Sequence, residues 1–166
     1  GSGLVGSEMC IRDSILNDKC ETLDIRGVAH KGFFASITDF PSYYAANMAL
    51  LNYKSAQELF HDNWPIYTRT NDSCPTQYFN TADVKNSVIS NGCQIEGTVE
   101  NSVIGRGCVI KKGAVVRNSV VLAEVTVGEG VHVENEVVDK WAKLVHKKEI
   151  VSPAEQPGYI RRNDTL

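Results

Sequence analysis

The sequence lacks several features that would each indicate a particular class of protein. It contains no apolar run approaching the roughly 20 residues that a membrane-spanning helix needs. It has no excess of basic charge, since its formal net charge is −3, and a broad nucleic-acid-binding surface needs clustered Lys and Arg. We therefore expect neither a membrane nor nucleic acid among its partners.

Cysteine motifs are also missing. The five cysteines are odd in number and no two of them have C-x-x-C spacing, so neither a zinc site nor a disulfide framework is expected. We predict reduced thiols in a cytoplasmic protein. The cysteines are Cys10, Cys20, Cys74, Cys93 and Cys108. Hydrophobic residues make up 42% of the 166 residues, which is enough for a packed core.

The first fourteen residues differ from the rest. Residues 1–14 have neither the basic start and apolar stretch of a signal peptide nor a strand or helix periodicity. We interpret them as a non-native leader. Residues 15–60 then form the end of a folded domain, and residues 61–83, rich in turn residues, form a linker.

Helix signals lie in the second half of the 15–60 segment. Asp39 can cap a helix in which Pro41 occupies the first turn. A stripe of apolar residues at helical spacing supports this helix and consists of Phe40, Tyr44, Met48 and Leu51. Ser55 and Glu58 stand three apart, as in a capping box, and predict a second short helix. The stretch Thr22–Ser36 alternates loosely and is predicted to be extended.

The second half of the chain is repetitive. The units Asn86–Ile89, Asn101–Ile104 and Asn118–Val121 echo one another at spacings of fifteen and seventeen residues. Aliphatic residues recur at every sixth position, small residues follow them by four, and glycines stand at corner positions. Such a pattern is typical of a triangular coil of about eighteen residues whose inward side chains stack between coils. It predicts a mainly β fold, a left-handed parallel β-helix of hexapeptide repeats over 84–151, followed by a C-terminal tail, 152–166. The stretch 84–138 then holds about three coils, with Ile110 pointing inward. An antiparallel β-sandwich fits less well, because its turns recur every 8 to 12 residues.

Several motifs together resemble one family. Gly32–Ile37, Ser42–Met48 and Ile66–Thr68, followed by a β-helix, are similar to ADP-glucose pyrophosphorylase, the glucose-1-phosphate adenylyltransferase of glycogen synthesis. The resemblance runs from about residue 15 to the C-terminus. It implies that residues 15–60 are a short α/β remnant of a nucleotidyltransferase domain. The family's Gly-rich nucleotide-binding segment is not in this sequence, so we expect the chain to be inactive alone.

The resemblance also indicates a subtype. Gly32, Phe33 and Phe34 match the family's substrate-side Gly-aromatic motif, but Ser36 occupies the place of the Asp that helps to hold the catalytic Mg²⁺. A hydroxyl is a poor substitute for a carboxylate ligand. The resemblance therefore implies a regulatory, D-type subunit with no catalytic residue, metal or cofactor of its own. It also implies a catalytic pyrophosphorylase subunit as partner, with Mg²⁺ in that partner, in a hetero- or homo-oligomer joined through the β-helix.

Two other functions remain open. A hexapeptide-repeat acyltransferase would use a His as general base, and His132, expected at an outward corner, is the candidate. The chain could also come from a sugar-phosphate nucleotidyltransferase of another specificity. Basic residues near the end could bind an anionic effector, although a solvated surface is the simpler interpretation. These basic residues are Lys140, Lys143, Lys147 and Lys148, with Arg161 and Arg162 further on. His30, His61 and His146 have no ligand partners at metal-site spacing.

The two ends of the β-helix are predicted to need cover, because terminal coils expose strand edges and apolar residues. At the upstream end, the linker and the first helix are the candidates. At the downstream end, Trp141, Leu144 and Val145 could fold back as a plug or contact another chain. We favour contact with another chain, because the resemblance implies a tetramer built partly through these domains.

Overall fold

The computed structural model describes residues 18–19, 21–24, 26–60, 65–67 and 72–166. The chain divides into two compact units, residues 1–31 and residues 32–166. In the first unit the described residues form one turn, in which the amides of Thr22 and Leu23 donate to the Lys19 carbonyl. The proposed leader 1–14, Cys10, Cys20, His61 and Trp64 lie outside the described residues. No strand occurs among the described residues between 21 and 36, so the extended stretch predicted there is not part of a sheet.

Two helices open the ordered part of the second unit. Helix α1 spans Phe40–Ala49 and helix α2 spans Tyr53–Leu59. The Asp39 cap is confirmed, because its carboxylate accepts from the Ser42 amide at 2.8 Å and the Ser42 hydroxyl accepts in return from the Asp39 amide. The capping box predicted at Ser55 is wrong. Asn52 caps α2 by accepting from the Lys54 amide, so α2 begins two residues before Ser55.

The rest of the second unit is a solenoid of fifteen short parallel strands. Their bounds are β1 Gln77–Tyr78, β2 Asp83–Lys85, β3 Val88–Ile89, β4 Gln94–Ile95, β5 Thr98–Glu100, β6 Val103–Ile104, β7 Val109–Ile110, β8 Val115–Arg117, β9 Val120–Val121, β10 Thr126–Val127, β11 His132–Glu134, β12 Glu136–Val138, β13 Lys143–Leu144, β14 Glu149–Val151 and β15 Gly158–Ile160. Each coil contributes one strand to each of three five-stranded sheets. We call β1-β4-β7-β10-β13 the first sheet, β2-β5-β8-β11-β14 the second and β3-β6-β9-β12-β15 the third.

This architecture confirms the predicted β-helix but is longer than the predicted range 84–151. The solenoid begins at Gln77, inside the predicted linker, and the predicted tail 152–166 supplies β15. It therefore has five coils, whereas about three were expected from 84–138. Paired positions in neighbouring coils of the first sheet are fifteen or seventeen residues apart, because the corners are shorter than an eighteen-residue coil assumes. A longer loop before β15 widens the spacing between β12 and β15, where Glu136 pairs with Gly158.

The interior is a stack of aliphatic side chains. Ile95, Ile110 and Leu144 are fully buried in the first sheet, with Val127 between the last two. The inward orientation of Ile110 is therefore confirmed. The small residues that follow by four are buried as well, namely Cys93, Cys108, Ala114, Val125 and Val131. Fully burying one such aliphatic side chain contributes about 1.5–3 kcal/mol, and no single coil could do so without its neighbours.

The Asn–Ser echo in the sequence has a structural cause. Asn86, Asn101, Asn118 and Asn135 each turn the corner between the second and third sheets with positive φ, from 42 to 56°. Asn tolerates this left-handed conformation better than most residues. A serine follows each of the first three asparagines and extends the ladder, since the Ser102 hydroxyl accepts from the Ser119 amide and donates to the Glu100 carbonyl. The fourth unit, Asn135–Val138, is not recognisable as an Asn–Ser repeat in the sequence because Glu136 replaces the serine.

The downstream end is covered by the chain itself. Thr165 bridges to Lys143, the amides of Val145 and His146 both donate to Leu166, and Leu166 packs against the core. The plug of Trp141, Leu144 and Val145 is therefore wrong, and the contact with another chain that we favoured stays a prediction. Leu144 belongs to the fifth coil, and Trp141 remains 41% exposed with the Arg162 guanidinium 4.2 Å from its ring centroid.

Candidate functional site

Helix α1 packs on the outer face of the third sheet. The outward residues of this sheet form a stripe, and Val120 and Val137 in that stripe are buried although they do not belong to the interior cluster. α1 contacts β9. The Tyr44 hydroxyl donates to the Asn118 carbonyl at 2.6 Å. Phe40, one turn earlier, meets Tyr159 edge-to-face at 5.9 Å. The helix thus lies on the side of the solenoid, and the prediction that it covers the upstream end is wrong.

A groove lies on another face of α1. It has a volume of about 450 Å³ and is formed by α1, the segment that precedes it and Leu59 at the end of α2. Its lining is mostly apolar and aromatic, which is typical of ligand or polypeptide binding sites. The lining consists of Phe33, Phe34, Ala35, Ile37, Tyr43, Ala46, Asn47, Leu50 and Leu59.

The predicted substrate-side residues meet in this groove. Phe33 and Phe34 both line it, and Phe34 is 78% exposed. Gly32 lies directly before them with φ 133°, a conformation that favours glycine. Because no residue of α1 is fully buried and the helix carries no charged side chain, the groove side of α1 presents apolar surface to solvent.

The residues around Ser36 do not fit a Mg²⁺ site. Ser36 is exposed and does not line the groove. The nearest carboxylate in sequence, Asp39, is engaged as the helix cap, and hydrogen bonds from the Ser42 amide and hydroxyl lower the pKa of Asp39. No cluster of three potential metal ligands occurs within the described part of the chain. That Ser36 takes the place of the family's Asp stays a prediction.

The basic residues predicted to bind an effector occupy different corners. Lys140 precedes β13, at the corner where the third sheet gives way to the first, whereas Lys147 and Lys148 lie between β13 and β14. Lys148 donates to the Glu129 carbonyl. Lys143 points outward from β13. An effector role for these lysines therefore stays a prediction, and it needs a ligand that reaches across the first sheet.

One carboxylate belongs to the same corner as Lys140. Asp139 accepts from the Lys140 amide at 2.7 Å and from the Tyr159 hydroxyl at 2.8 Å. Partial burial opposes ionisation, but these hydrogen bonds and the charges of Arg162 and Lys140 prevail and lower the pKa of Asp139. Part of the positive charge at this corner is thus already balanced.

His132, the candidate acyltransferase base, lies within strand β11 and not at a corner. Its Nε2 is 3.1 Å from the Glu134 carboxylate. Both side chains point outward from the second sheet, and neither lines the groove beside α1 described above. The two buried thiols are out of reach of a substrate, because Cys93 is 1% and Cys108 0% exposed. They donate to the carbonyls of Gly105 and Leu122. The hydrogen bond between the two thiols lowers the pKa of Cys93 to about 6 and, together with burial, raises the pKa of Cys108.

These features define a hexapeptide-repeat solenoid with a helix docked on one sheet. Residues 75–156 match the family model described as GlmU-like, C-terminal hexapeptide. The chain is 37% identical to glucose-1-phosphate adenylyltransferase of Fervidobacterium nodosum over 108 residues, which are 65% of this chain and 26% of that protein. It is 34% identical to the glycogen biosynthesis protein GlgD of Bacillus subtilis over 133 residues, 80% of this chain and 39% of that protein. The GlgD of Geobacillus stearothermophilus is 45% identical over 71 residues, 43% of this chain and 21% of that protein.

The chain is therefore a homologue of glucose-1-phosphate adenylyltransferase and of GlgD over the aligned residues. It spans between about a fifth and two fifths of the length of these curated relatives. Among the residues that the structure describes, no helix is both long and apolar enough to cross a membrane.

Proposed function

We propose that this chain is the C-terminal part of a glucose-1-phosphate adenylyltransferase subunit of the GlgD type, with a regulatory and assembly role rather than a catalytic one. The intact enzyme would make ADP-glucose and pyrophosphate from ATP and glucose 1-phosphate, in the cytoplasm. The catalytic partner subunit would hold the Mg²⁺. A hetero- or homo-oligomer joined through the solenoid would bring the two kinds of subunit together.

The single observation that carries this proposal is the docking of α1 on the third sheet. The similarity to the Bacillus subtilis GlgD covers 133 residues, which is more than the solenoid and its C-terminal cap, residues 77–166, contain. The similarity therefore includes residues outside the solenoid, where α1 and the groove lie. A hexapeptide acyltransferase has no evident use for a helix that joins an apolar groove to the side of the solenoid.

The D-type assignment is supported by Ser36, which offers a hydroxyl where a metal-binding subunit needs a carboxylate. Phe33 and Phe34 line the groove but Ser36 does not, so the assignment depends on the residue type at position 36 and not on the groove. The loss of a metal ligand would remove several kcal/mol of transition-state stabilisation. A subunit with this substitution can still bind a partner and transmit regulation.

The test is reconstitution with a catalytic subunit. The gene that encodes this chain, extended upstream to its full reading frame, should be co-expressed with the catalytic subunit of the same organism. We expect a stable mixed complex whose ADP-glucose synthesis responds to sugar-phosphate effectors differently from that of the catalytic subunit alone. Separate migration of the two subunits, or acetyl-CoA binding by the chain that depends on His132, would contradict the proposal and favour the acyltransferase.

A further inference from the structure

The outer face of the second sheet carries two columns of side chains that stack in register from coil to coil. One column alternates in charge over the first four coils and consists of Lys85, Glu100, Arg117 and Glu134, followed by Val151. The other consists of Asp83, Thr98, Val115, His132 and Glu149. The third sheet has α1 on its outer face, whereas the outward side chains of the second sheet are all partly or largely exposed.

Within the chain these charges form surface pairs. The Arg117 Nε lies 3.2 Å from the Glu100 carboxylate, and the Lys85 Nζ lies 2.9 Å from the Asp83 carboxylate. Between about a quarter and two thirds of each of these charged side chains is accessible to solvent. Exposed pairs of this kind contribute little to folding stability, typically 0–1 kcal/mol. Their charges therefore remain available to a second surface.

The alternating column has a symmetry property. Consider a second copy related by a two-fold axis that lies in the plane of the face and runs parallel to the strands. This axis reverses the order of the coils and keeps each column opposite itself, so each cation of the column comes opposite an anion. Coil one then faces coil four, and coil two faces coil three. The resulting contacts are Lys85 with Glu134, Glu100 with Arg117, Asp83 with His132 and Thr98 with Val115 of the second copy.

We propose that the outer face of the second sheet is a self-complementary interface on which a second copy of this chain docks antiparallel. This inference deepens the assembly role proposed above by naming the face and the partner. An isologous dimer requires that residue i contacts residue j while j contacts i, and both columns satisfy this condition in the same alignment.

Other alignments are disfavoured by the same charges. A parallel arrangement, about a two-fold axis along the solenoid, exchanges the two columns and places Lys85 against Asp83 and Glu134 against His132, but it leaves Glu100 against Thr98 and Arg117 against Val115. It therefore has two contacts of a Lys or Arg with a carboxylate, whereas the antiparallel arrangement has four. An antiparallel arrangement shifted by one coil places Arg117 against itself and Glu100 against Glu134. Juxtaposed like charges across an interface cost several kcal/mol. The charge pattern thus selects one orientation and one alignment.

The complex should be weak and sensitive to salt. Four stacked coils span only about 15 Å at the usual strand spacing, so the contact is smaller than the roughly 800 Å² per partner of a standard interface. Its attraction comes mainly from exposed charges, which salt screens. We expect a dissociation constant of roughly 0.1–1 mM at physiological salt, and at least tenfold tighter association at low salt.

The experiment is a charge swap read by sedimentation of the full chain at about 10 mM and about 500 mM salt. Lys85→Glu and Glu134→Lys each make both of the symmetric Lys85–Glu134 contacts repulsive, so each variant alone should self-associate at least about tenfold more weakly. An equimolar mixture of the two variants should recover a heterodimer, because the altered charges are complementary. The double variant Lys85→Glu with Glu134→Lys should recover the homodimer. Glu155→Lys, an exposed change of the same kind in the loop before β15, is the control and should associate as the parent does.

Recovery in the mixture and in the double variant distinguishes this interface from a loss of folding, which no second charge change would reverse. A parent chain that stays monomeric at low salt and several hundred micromolar overturns the inference, as does a dimer that the single swaps leave intact. Neither result affects the mixed complex with a catalytic subunit, because that complex is tested separately.

Discussion

Ile110→Ala is expected to be among the most destabilising truncations in the solenoid. Ile110 is fully buried in the middle coil, with Ile95 stacked on one side and Val127 on the other. The substitution removes three carbon groups, which is about 2.4 kcal/mol of transfer free energy at about 0.8 kcal/mol each. A cavity closed on both sides by neighbouring coils cannot collapse and adds about 1–2 kcal/mol. The total loss is therefore about 3–4 kcal/mol, a large share of a typical stability of about 5–15 kcal/mol.

The assay is urea unfolding followed by circular dichroism, with a matched truncation as the control. Ile89→Ala deletes the same atoms in the first coil, where Ile89 is only partly buried, so its cost should be about half as large. In thermal unfolding the Ile110 variant should melt about 10 °C below the parent, at roughly 3 °C per kcal/mol for a chain of this size. Equal losses for the two variants, or a loss below about 1 kcal/mol for Ile110→Ala, would refute the stacked-interior reasoning.

Three further predictions can be tested, and the first two of them follow from single contacts. Glu136 is only 4% exposed and accepts from the Ser152 hydroxyl, and burial raises its pKa. The folded state therefore holds the proton of the Glu136 carboxyl more tightly than the unfolded state does. The contribution of protonated Glu136 to folding stability is complete below the unfolded pKa, and it is lost as pH rises through the folded pKa. Glu136→Gln should thus be more stable than the parent by about 1 kcal/mol at pH 8 in urea unfolding, and the difference should vanish near pH 4; a constant difference would contradict this. Tyr44→Phe removes the donor to the Asn118 carbonyl and should cost about 1 kcal/mol, seen as faster hydrogen exchange in α1 with unchanged exchange in the solenoid interior. The chain alone should make no ADP-glucose from ATP, glucose 1-phosphate and Mg²⁺, and turnover above a blank without protein would refute that.

The solenoid was predictable because its physics is periodic. A six-residue step of aliphatic side chains with small residues four positions later has few explanations other than stacked coils. The same periodicity placed Ile110, Cys93 and Cys108 in the interior without any knowledge of the sheets. The number of coils was harder to predict, because the first strand contains Gln77 and Tyr78, which do not match an aliphatic repeat.

The position of α1 could not be predicted from the helix alone. Its apolar residues are spread around the axis, so the stripe from Phe40 to Leu51 did not identify which surface it would meet. The signal was in the strands of the third sheet instead. Val103–Ile104, Val120–Val121 and Val137–Val138 are pairs of consecutive aliphatic residues, and a strand buried on both faces is apolar at both alternating positions.

The outer residues of the solenoid give each sheet a different role while the inner residues remain nearly uniform. In the third sheet the outward positions are aliphatic in the first four coils and Tyr159 in the fifth, and α1 contacts this face. In the second sheet the outward positions alternate in charge and remain exposed, which suits a reversible, salt-sensitive contact with a second copy. Because outward residues can change without disturbing the stacked interior, a solenoid of this kind can gain or lose a partner on one face independently of the others. The regulatory role that we propose needs this separation, since α1 must stay attached to the third sheet while subunits exchange on the second.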